Sequence, residues 1–438
     1  MRRCTGTASK PSVLIPRAFA AALFATLTTA FAFLPTSVHA SGRPEARDPK
    51  LEIFSWWTAG GEAEGLAAMF DIYRTKYPTV QIINATVAGG AGSNAKAVLD
   101  TRMRGGNPPD SFQVHAGHEL IDSWVLEGKM EPITFVFRDN GWLNAFPRDL
   151  IDIISWKGEI YSVPVNIHRS NVLWYNKKIF TDNGLVPPTT FDQLVKFCDM
   201  LAGKGITPLA LGDSGIWASV HLLESVLLAT MGPARYKGLW TGSTPWDGGE
   251  LRTALSRFAT LLRYANTDHA TLSWDAAAQY VIDGKCAMTV MGDWVEGYFK
   301  ARGFTPNKEF GWVPFPGTKG TFMMLSDSFG LPRGAPDRDA AVKWLTMCAS
   351  REGQDAFNPK KGSIPSRTDC NRALYDVYLQ SAMDSFRSDT IVPSLTHGAA
   401  AAEGWVNQVQ DVISLFACDL DVEKATAGLV AAARKYVR

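Results

Sequence analysis

Two adjacent indoles, Trp56 and Trp57, stand five residues before a carboxylate, Glu62. An aromatic face carries negative π density that suits polarised C–H groups. An ionised carboxylate accepts hydroxyl hydrogen bonds, and charge assistance strengthens them. Together they suit a ligand with C–H groups on its faces and hydroxyls around its edge, the surface of a pyranose ring. Residue type alone leaves other accounts open. Neighbours on a strand point to opposite faces, so one indole would be core unless the strand ends by Trp56 and frees Trp57. An acid in the first turn of a helix also favours the helix dipole, and for Glu62 this is the stronger account before any wider comparison.

Further groups of the same kind lie far along the chain. Asp327 sits between apolar neighbours in Leu325-Ser326-Asp327-Ser328-Phe329, where a carboxylate needs partners. Gln113 stands at the C-terminal end of a strand-like run, where open α/β sheets place ligands, and its amide both donates and accepts. Lys361 offers donors, although beside Lys360 it also reads as a solvated charge. His397, next to Gly398, can bridge hydroxyls or start a helix. Trp294, after Asp293, is a second aromatic surface or a core residue. His168 is a weaker cleft candidate, and Lys96 is expected on the surface.

Several fragments imitate other chemistry. Gly212-Asp213-Ser214-Gly215 resembles a nucleophile loop but continues with Ile216 and lacks a suitably spaced His and Asp. Gly89-Gly90-Ala91-Gly92 lacks the Lys-Ser/Thr of a phosphate loop. His115 and His118 have no Cys or carboxylate cluster beside them and read as a polar loop. No metal and no cofactor is expected.

The elements that must position these groups follow from periodicity. Leu51 to Trp56 alternates as a strand, and Glu62 to Tyr77 has helical spacing with Leu66, Met69, Phe70 and Tyr73 on one face. Val80 to Ile83, a helix over Asn94 to Met103 and the strand Ser111 to Val114 complete a β-α-β-α-β order, which argues for a parallel sheet. Ile160 to Pro164 and Asn171 to Asn176 are extended. Helices are expected over Thr190–Lys204, Ala218–Met231, Leu251–Tyr264, Trp274–Asp283, Asp337–Cys348, Thr368–Asp384 and Ala399–Phe416. Ala287 to Met291 and Leu325 to Leu331 are expected strands. With no low-complexity linker, the chain is expected to cross between two domains near Val163, Ser326 and Ser363.

The chain has 438 residues and a net charge of +1. Its first forty residues read as a signal peptide: Arg2, Arg3, Lys10 and Arg17 precede the apolar run Ala18 to Leu34, which ends at the small-residue pattern Ser37-Val38-His39-Ala40. The run borders on membrane-spanning length, but the cleavage pattern favours removal. Losing four positive charges leaves the mature chain at −3, which gives no reason to expect nucleic acid as a partner. Such a length favours two domains. Of the five remaining cysteines, Cys198, Cys286 and Cys348 read as core residues, and a Cys370–Cys418 disulfide is the favoured pairing of an exported chain.

Phe54-Ser55-Trp56-Trp57-Thr58-Ala59-Gly60-Gly61-Glu62 resembles the opening of the glucose-binding members of the extracellular solute-binding protein family of ABC transporters. Pro108 to Val114, Tyr161 to Pro164 with Leu173 to Asn176, Gly284 to Met288 with Gly292-Asp293-Trp294, and Lys360 to Pro365 resemble further segments of that family. The similarity runs from about residue 48 to the C-terminus, and the opening motif resembles the glucose, galactose and mannose binders.

The resemblance implies a periplasmic-binding-protein-like fold of two α/β lobes with a ligand cleft and three crossings. Residues 41–163 and 327–362 would form the N-terminal lobe, and 164–326 and 363–438 the C-terminal lobe. It also implies a monomeric periplasmic protein, not an enzyme, that binds a monosaccharide, glucose above galactose or mannose, for the permease subunits of an importer. By resemblance, Trp56, Trp57, Glu62, Gln113, Trp294, Asp327, Lys361 and His397 are ligand contacts, with His168 and Asp293 as weaker ones. The rival expectation is a secreted glycoside hydrolase using Glu62 and Asp327, whose carboxylates would flank a glycosidic bond.

Overall fold

The computed structural model describes residues 49–89 and 92–437. The expected signal peptide, and Gly90 and Ala91 of the glycine-rich run, lie outside the described residues.

The strand Lys50–Phe54 opens the fold with Leu51 and Ile53 fully buried. Helix Gly60–Lys76 buries Leu66, Met69, Phe70 and Tyr73, the face its spacing predicts. It leads to the strand Gln81–Asn84, and a second crossover helix, Ser93–Arg104, leads to the strand Ser111–His115. Both strands run parallel to the first. Two later strands, Asp327–Gly330 and Ser162–Pro164, join this sheet antiparallel. The parallel sheet expected from the N-terminal third is therefore one half of a mixed sheet.

A second sheet orders Phe310–Pro314, Val172–Asn176, Cys286–Val290 and Thr207–Ala210. A third joins Thr390–Pro393, Thr321–Leu325 and His168–Arg169.

Two apolar cores result. One gathers Phe54, Phe112, Val163, Phe329, Trp344 and Phe357. The other gathers Ile167, Trp174, Phe258, Met288, Leu325, Ile364 and Phe416. Apart from Leu150, which packs into the second core, the chain changes core three times: between Val165 and Ile167, between Leu325 and Phe329, and between Phe357 and Ile364. The three crossings lie side by side. Ile167 and Ile364 exchange backbone hydrogen bonds of 2.8 and 3.1 Å, and Ser326 Oγ donates to the Asn166 carbonyl at 2.6 Å. The fold is thus two α/β lobes joined by three short strands, a form in which hinge closure is common.

Three local expectations need correction. Leu325 to Leu331 is not one extended piece, because the chain leaves one sheet at Leu325 and enters the other at Asp327, with Ser326 between. Thr368 to Asp384 is not one helix. A short turn at Arg372–Leu374 comes first, and the helix Val377–Ser388 begins only where the Asp376 side chain accepts the Tyr378 and Leu379 amides. The helix expected over Ala218 to Met231 does end there: Gly232 is non-helical (φ 72°), and Pro233 begins a second helical run that reaches Thr241. Finally, the described cysteines form no disulfide. Cys418 is exposed on helix Glu403–Asp419 and donates to the Ser414 carbonyl, whereas Cys370 is half-buried next to Asp355. Cys198, Cys286 and Cys348 are buried core residues as expected.

Candidate functional site

Where the two cores meet, a cavity of about 240 Å³ is lined by Trp56, Trp57, Glu62, His168, Trp294, Asp327, Lys361 and His397, with Trp274 and His115 beside them. Eight of the ten residues singled out in the sequence therefore share one wall, although 341 positions separate Trp56 from His397.

The first strand ends at Phe54, so strand alternation does not constrain the indoles. Trp57 packs at 4.7 Å against Phe357 and edge-on at 5.6 Å against Phe329, while its indole N–H has no hydrogen-bond partner among the described residues. Trp56 tilts over His115 at 5.1 Å, and Lys96 Nζ lies 5.8 Å from its ring. Trp294 starts the helix Trp294–Ala301 and meets His397 and His168 edge-on at 5.1 and 5.4 Å.

Glu62 lies in the first turn of helix Gly60–Lys76, and Lys361 ends helix Arg351–Lys361. Lys361 Nζ donates to Glu62 Oε1 at 2.9 Å and lies 5.8 and 5.7 Å from the Trp57 and Trp294 rings. The approach that permits this needs glycine. A Cβ on Gly61 would stand 2.0 Å from the Lys360 carbonyl, and one on Gly297 would stand 2.4 Å from that of Lys361. Burial raises the Glu62 carboxyl above its ordinary value, against the opposing pull of Lys361.

Asp327 is held from the strand Ser111–His115 and from the first crossing. Its Oδ1 accepts from Gln113 Nε2 and its Oδ2 from Asn166 Nδ2, each at 2.8 Å, and its own amide donates to Asn166 Oδ1 at 2.7 Å. Burial would raise its carboxyl, but the His168 hydrogen bond and the Lys361 charge outweigh burial and hold it well below the usual carboxylate range. Asp327 therefore stays ionised, a fixed acceptor at the cavity edge. His168 is hydrogen-bonded through Nδ1 to Asp293. Burial and Lys361 lower its pKa, yet the Asp293 and Asp327 carboxylates prevail and raise it. Burial, with His115 and His221 adding to it, holds His397 well below the ordinary histidine value, so its ring is neutral.

Two singled-out residues do not line this cavity. Gln113 spends its amide on the Trp56 N–H (3.2 Å) and on Asp327. It reaches instead the wall of an adjoining cavity of about 610 Å³, shared with His115 and His397. Asp293 is fully buried behind His168 and also accepts from the Arg169 amide at 3.0 Å and the Tyr378 hydroxyl at 3.3 Å.

Conversely, Lys96 is not a plain surface lysine. It donates to Glu119 at 2.6 Å, and Glu119 also meets His115 Nδ1 at 2.7 Å. Burial would raise the Glu119 carboxyl, but Lys96 and His115 bring it down to about 2. The lysine was legible as a helix residue near the site, but its partner on Glu119 was not. Trp274, just after the helix-capping Ser273, carried no signal beyond helix spacing. The imitation motifs are structural: Asp213 caps helix Trp217–Thr241 through the Ser219 amide (3.1 Å) and hydroxyl (2.7 Å). His118 is exposed and pairs with Asp122.

Chemically, the cavity offers indole faces, one fixed acceptor in Asp327, a donor–acceptor pair in Lys361 and Glu62, and the neutral imidazole of His397. The indole faces come from both lobes, Trp56 and Trp57 from one and Trp294 from the other.

The family model described as bacterial extracellular solute-binding protein matches residues 49–355. An uncharacterized ABC transporter extracellular-binding protein of Pyrococcus horikoshii is 38% identical over 390 residues, covering 88% of each chain. A probable sugar-binding periplasmic protein of Brucella suis is 31% identical over 390 residues, 87% of this chain and 91% of that one. Among solved structures, a bacterial solute receptor with an exclusive preference for β-D-galactopyranose shares the fold at a TM-score of 0.77 and 16% identity, over 89% of this chain and 98% of that one. With that match over most of its length and a two-lobed fold around one cleft, the chain belongs to the bacterial extracellular solute-binding protein family.

Proposed function

We propose that this chain captures a monosaccharide, glucose first and galactose or mannose next, between its two lobes and delivers it to the permease subunits of an ABC sugar importer. The observation that carries the reading is the pairing of indole faces with edge-on polar groups in a cavity of about 240 Å³ fed from both cores. At about 30 Å³ per water, that space replaces roughly eight waters, the scale of one small polar ring. The sugar-binding name of the Brucella suis relative supports the same class of ligand. Lys361, Asp327 and Glu62 would be ligand contacts, Trp56, Trp57 and Trp294 stacking surfaces, and Gln113 and Asn166 would position Asp327.

Closure follows from the division of the site. Trp57 and Glu62 belong to one lobe, and Trp294 and His397 to the other. Only the closed arrangement completes the sugar's contacts, so the sugar stabilises that state, and an importer can sense it by lobe geometry. We place the mature protein in the periplasm as a monomer after removal of residues 1–40. Calorimetric titration with monosaccharides and disaccharides tests the reading. Saturable 1:1 binding of a hexose near micromolar, about −8 kcal/mol, with no reducing sugar released from glycosides, is the expected result. Glycoside cleavage that Glu62→Gln abolishes would establish the hydrolase reading instead.

A further inference from the structure

His221 and Glu224 lie three residues apart on helix Trp217–Thr241, on one face. His397 reaches them from the segment after strand Thr390–Pro393. Glu224 itself fastens that segment, accepting from the Leu395 and Thr396 amides at 2.7 and 3.2 Å and from Ser394 Oγ at 2.8 Å. The three side chains each offer a donor atom within 4.8 Å of the others, and all three are buried. From these distances and the burial, the geometry points to a divalent transition-metal site of the zinc class formed by His221, Glu224 and His397.

The spacing fits such an ion. Four ligands at about 2.1 Å around a tetrahedral zinc lie about 3.4 Å apart. His221 Nδ1 is 3.3 Å from His397 Nε2 and 3.7 Å from Glu224 Oε1. Two imidazoles and a carboxylate suit zinc and its neighbours better than magnesium or calcium. Ser170 Oγ, 3.0 Å from Glu224 Oε1 and 3.4 Å from His221 Nδ1, marks the fourth side, which Ser170 or a water would fill.

Glu224 and His221 are fully buried and His397 nearly so, so an ionised Glu224 would need a partner inside the fold. A divalent ion would compensate the carboxylate, and its entry path is the cleft, because His397 lines that wall. Ser394 holds Glu224 Oε1 and the Leu395 and Thr396 amides hold Oε2, orienting the carboxylate as outer partners do at metal sites.

The site shares His397 with the cleft wall, so it is tested on the sugar-free protein. The test uses the full mature chain, stripped with a chelator, and titrates Zn²⁺ by calorimetry and Co²⁺ by visible absorption. One equivalent of Zn²⁺, a raised Tm and tetrahedral Co²⁺ bands are expected. His221→Gln should weaken Zn²⁺ at least a hundredfold, with far-UV circular dichroism and metal-free Tm unchanged. If that variant does not fold, the wild-type cobalt spectrum decides: octahedral or absent bands overturn the proposal. Zn²⁺ binding unaffected by His221→Gln overturns it too, as does binding lost instead in His118→Gln, which would place the ion on the surface pair with Asp122.

Discussion

Replacing Asp327 with asparagine keeps shape and volume and removes one charge. Each carboxylate oxygen takes a side-chain amide at 2.8 Å, Gln113 on Oδ1 and Asn166 on Oδ2. An asparagine has one oxygen and one NH₂ group, so one of those two donors would face another donor. His168 and His115 stand close behind, at 3.5 and 3.7 Å. A hydrogen bond to a charged group contributes about 1.5–3 kcal/mol. If a sugar hydroxyl donates to Asp327, its loss should weaken sugar binding about tenfold to about 160-fold. The mismatched donor should also lower folding stability by about 1–3 kcal/mol. Calorimetry gives the first quantity and urea unfolding the second. An Asp327→Asn protein that loses stability but keeps its sugar Kd would show that Asp327 only ties the crossings together, and would refute its role at the ligand.

Three further outcomes follow from named contacts. Trp57→Ala should weaken the sugar at least tenfold by calorimetry, while Trp57→Phe, which keeps a ring against Phe357, should recover most of it. Gly61→Ala puts a methyl 2.0 Å from the Lys360 carbonyl. It should cost about 1–3 kcal/mol in urea unfolding and weaken the sugar by displacing the Glu62–Lys361 pair. Glu119 has a folded pKa near 2 against an ordinary value of 4.5. A depressed carboxyl stabilises the fold above the unfolded value and loses that contribution as pH falls, here between about 4.5 and 2, worth about 3 kcal/mol. Tm measured across that window should fall steeply in wild type and less in Glu119→Gln.

Much of the first lobe was legible because its signals are local. The alternation of Leu51 to Trp56 and the spacing of Leu66, Met69, Phe70 and Tyr73 specify strand and crossover helix without outside help. Family resemblance supplied what local pattern could not. On residue type, Glu62 was a dipole-favouring acid, and nothing nearby announced Lys361, 299 positions away. The misreadings have a common cause. Leu325 to Leu331 looks like one extended piece, and only pairing with His168–Arg169 on one side and Ser111–His115 on the other divides it at Ser326. Lys96 looked like a surface lysine and His115 like part of a polar loop because Glu119, which joins them, is itself buried by the fold. A Cys370–Cys418 bridge was favoured because both lie in the helical C-terminal region, but residence in one region does not bring two sulfurs together. The His221, Glu224 and His397 cluster left only an i, i+3 pair in the sequence, since its third member arrives through a strand pairing.

The central claim is that one sugar ring sits between the lobes, against indoles from both. A crystal structure of the mature chain grown with glucose tests it most directly. The account predicts a single ring between Trp57 and Trp294, with hydroxyls on Asp327 and Lys361. A sugar bound elsewhere, or a cleft that stays empty at saturating glucose and fills with another solute, would contradict it.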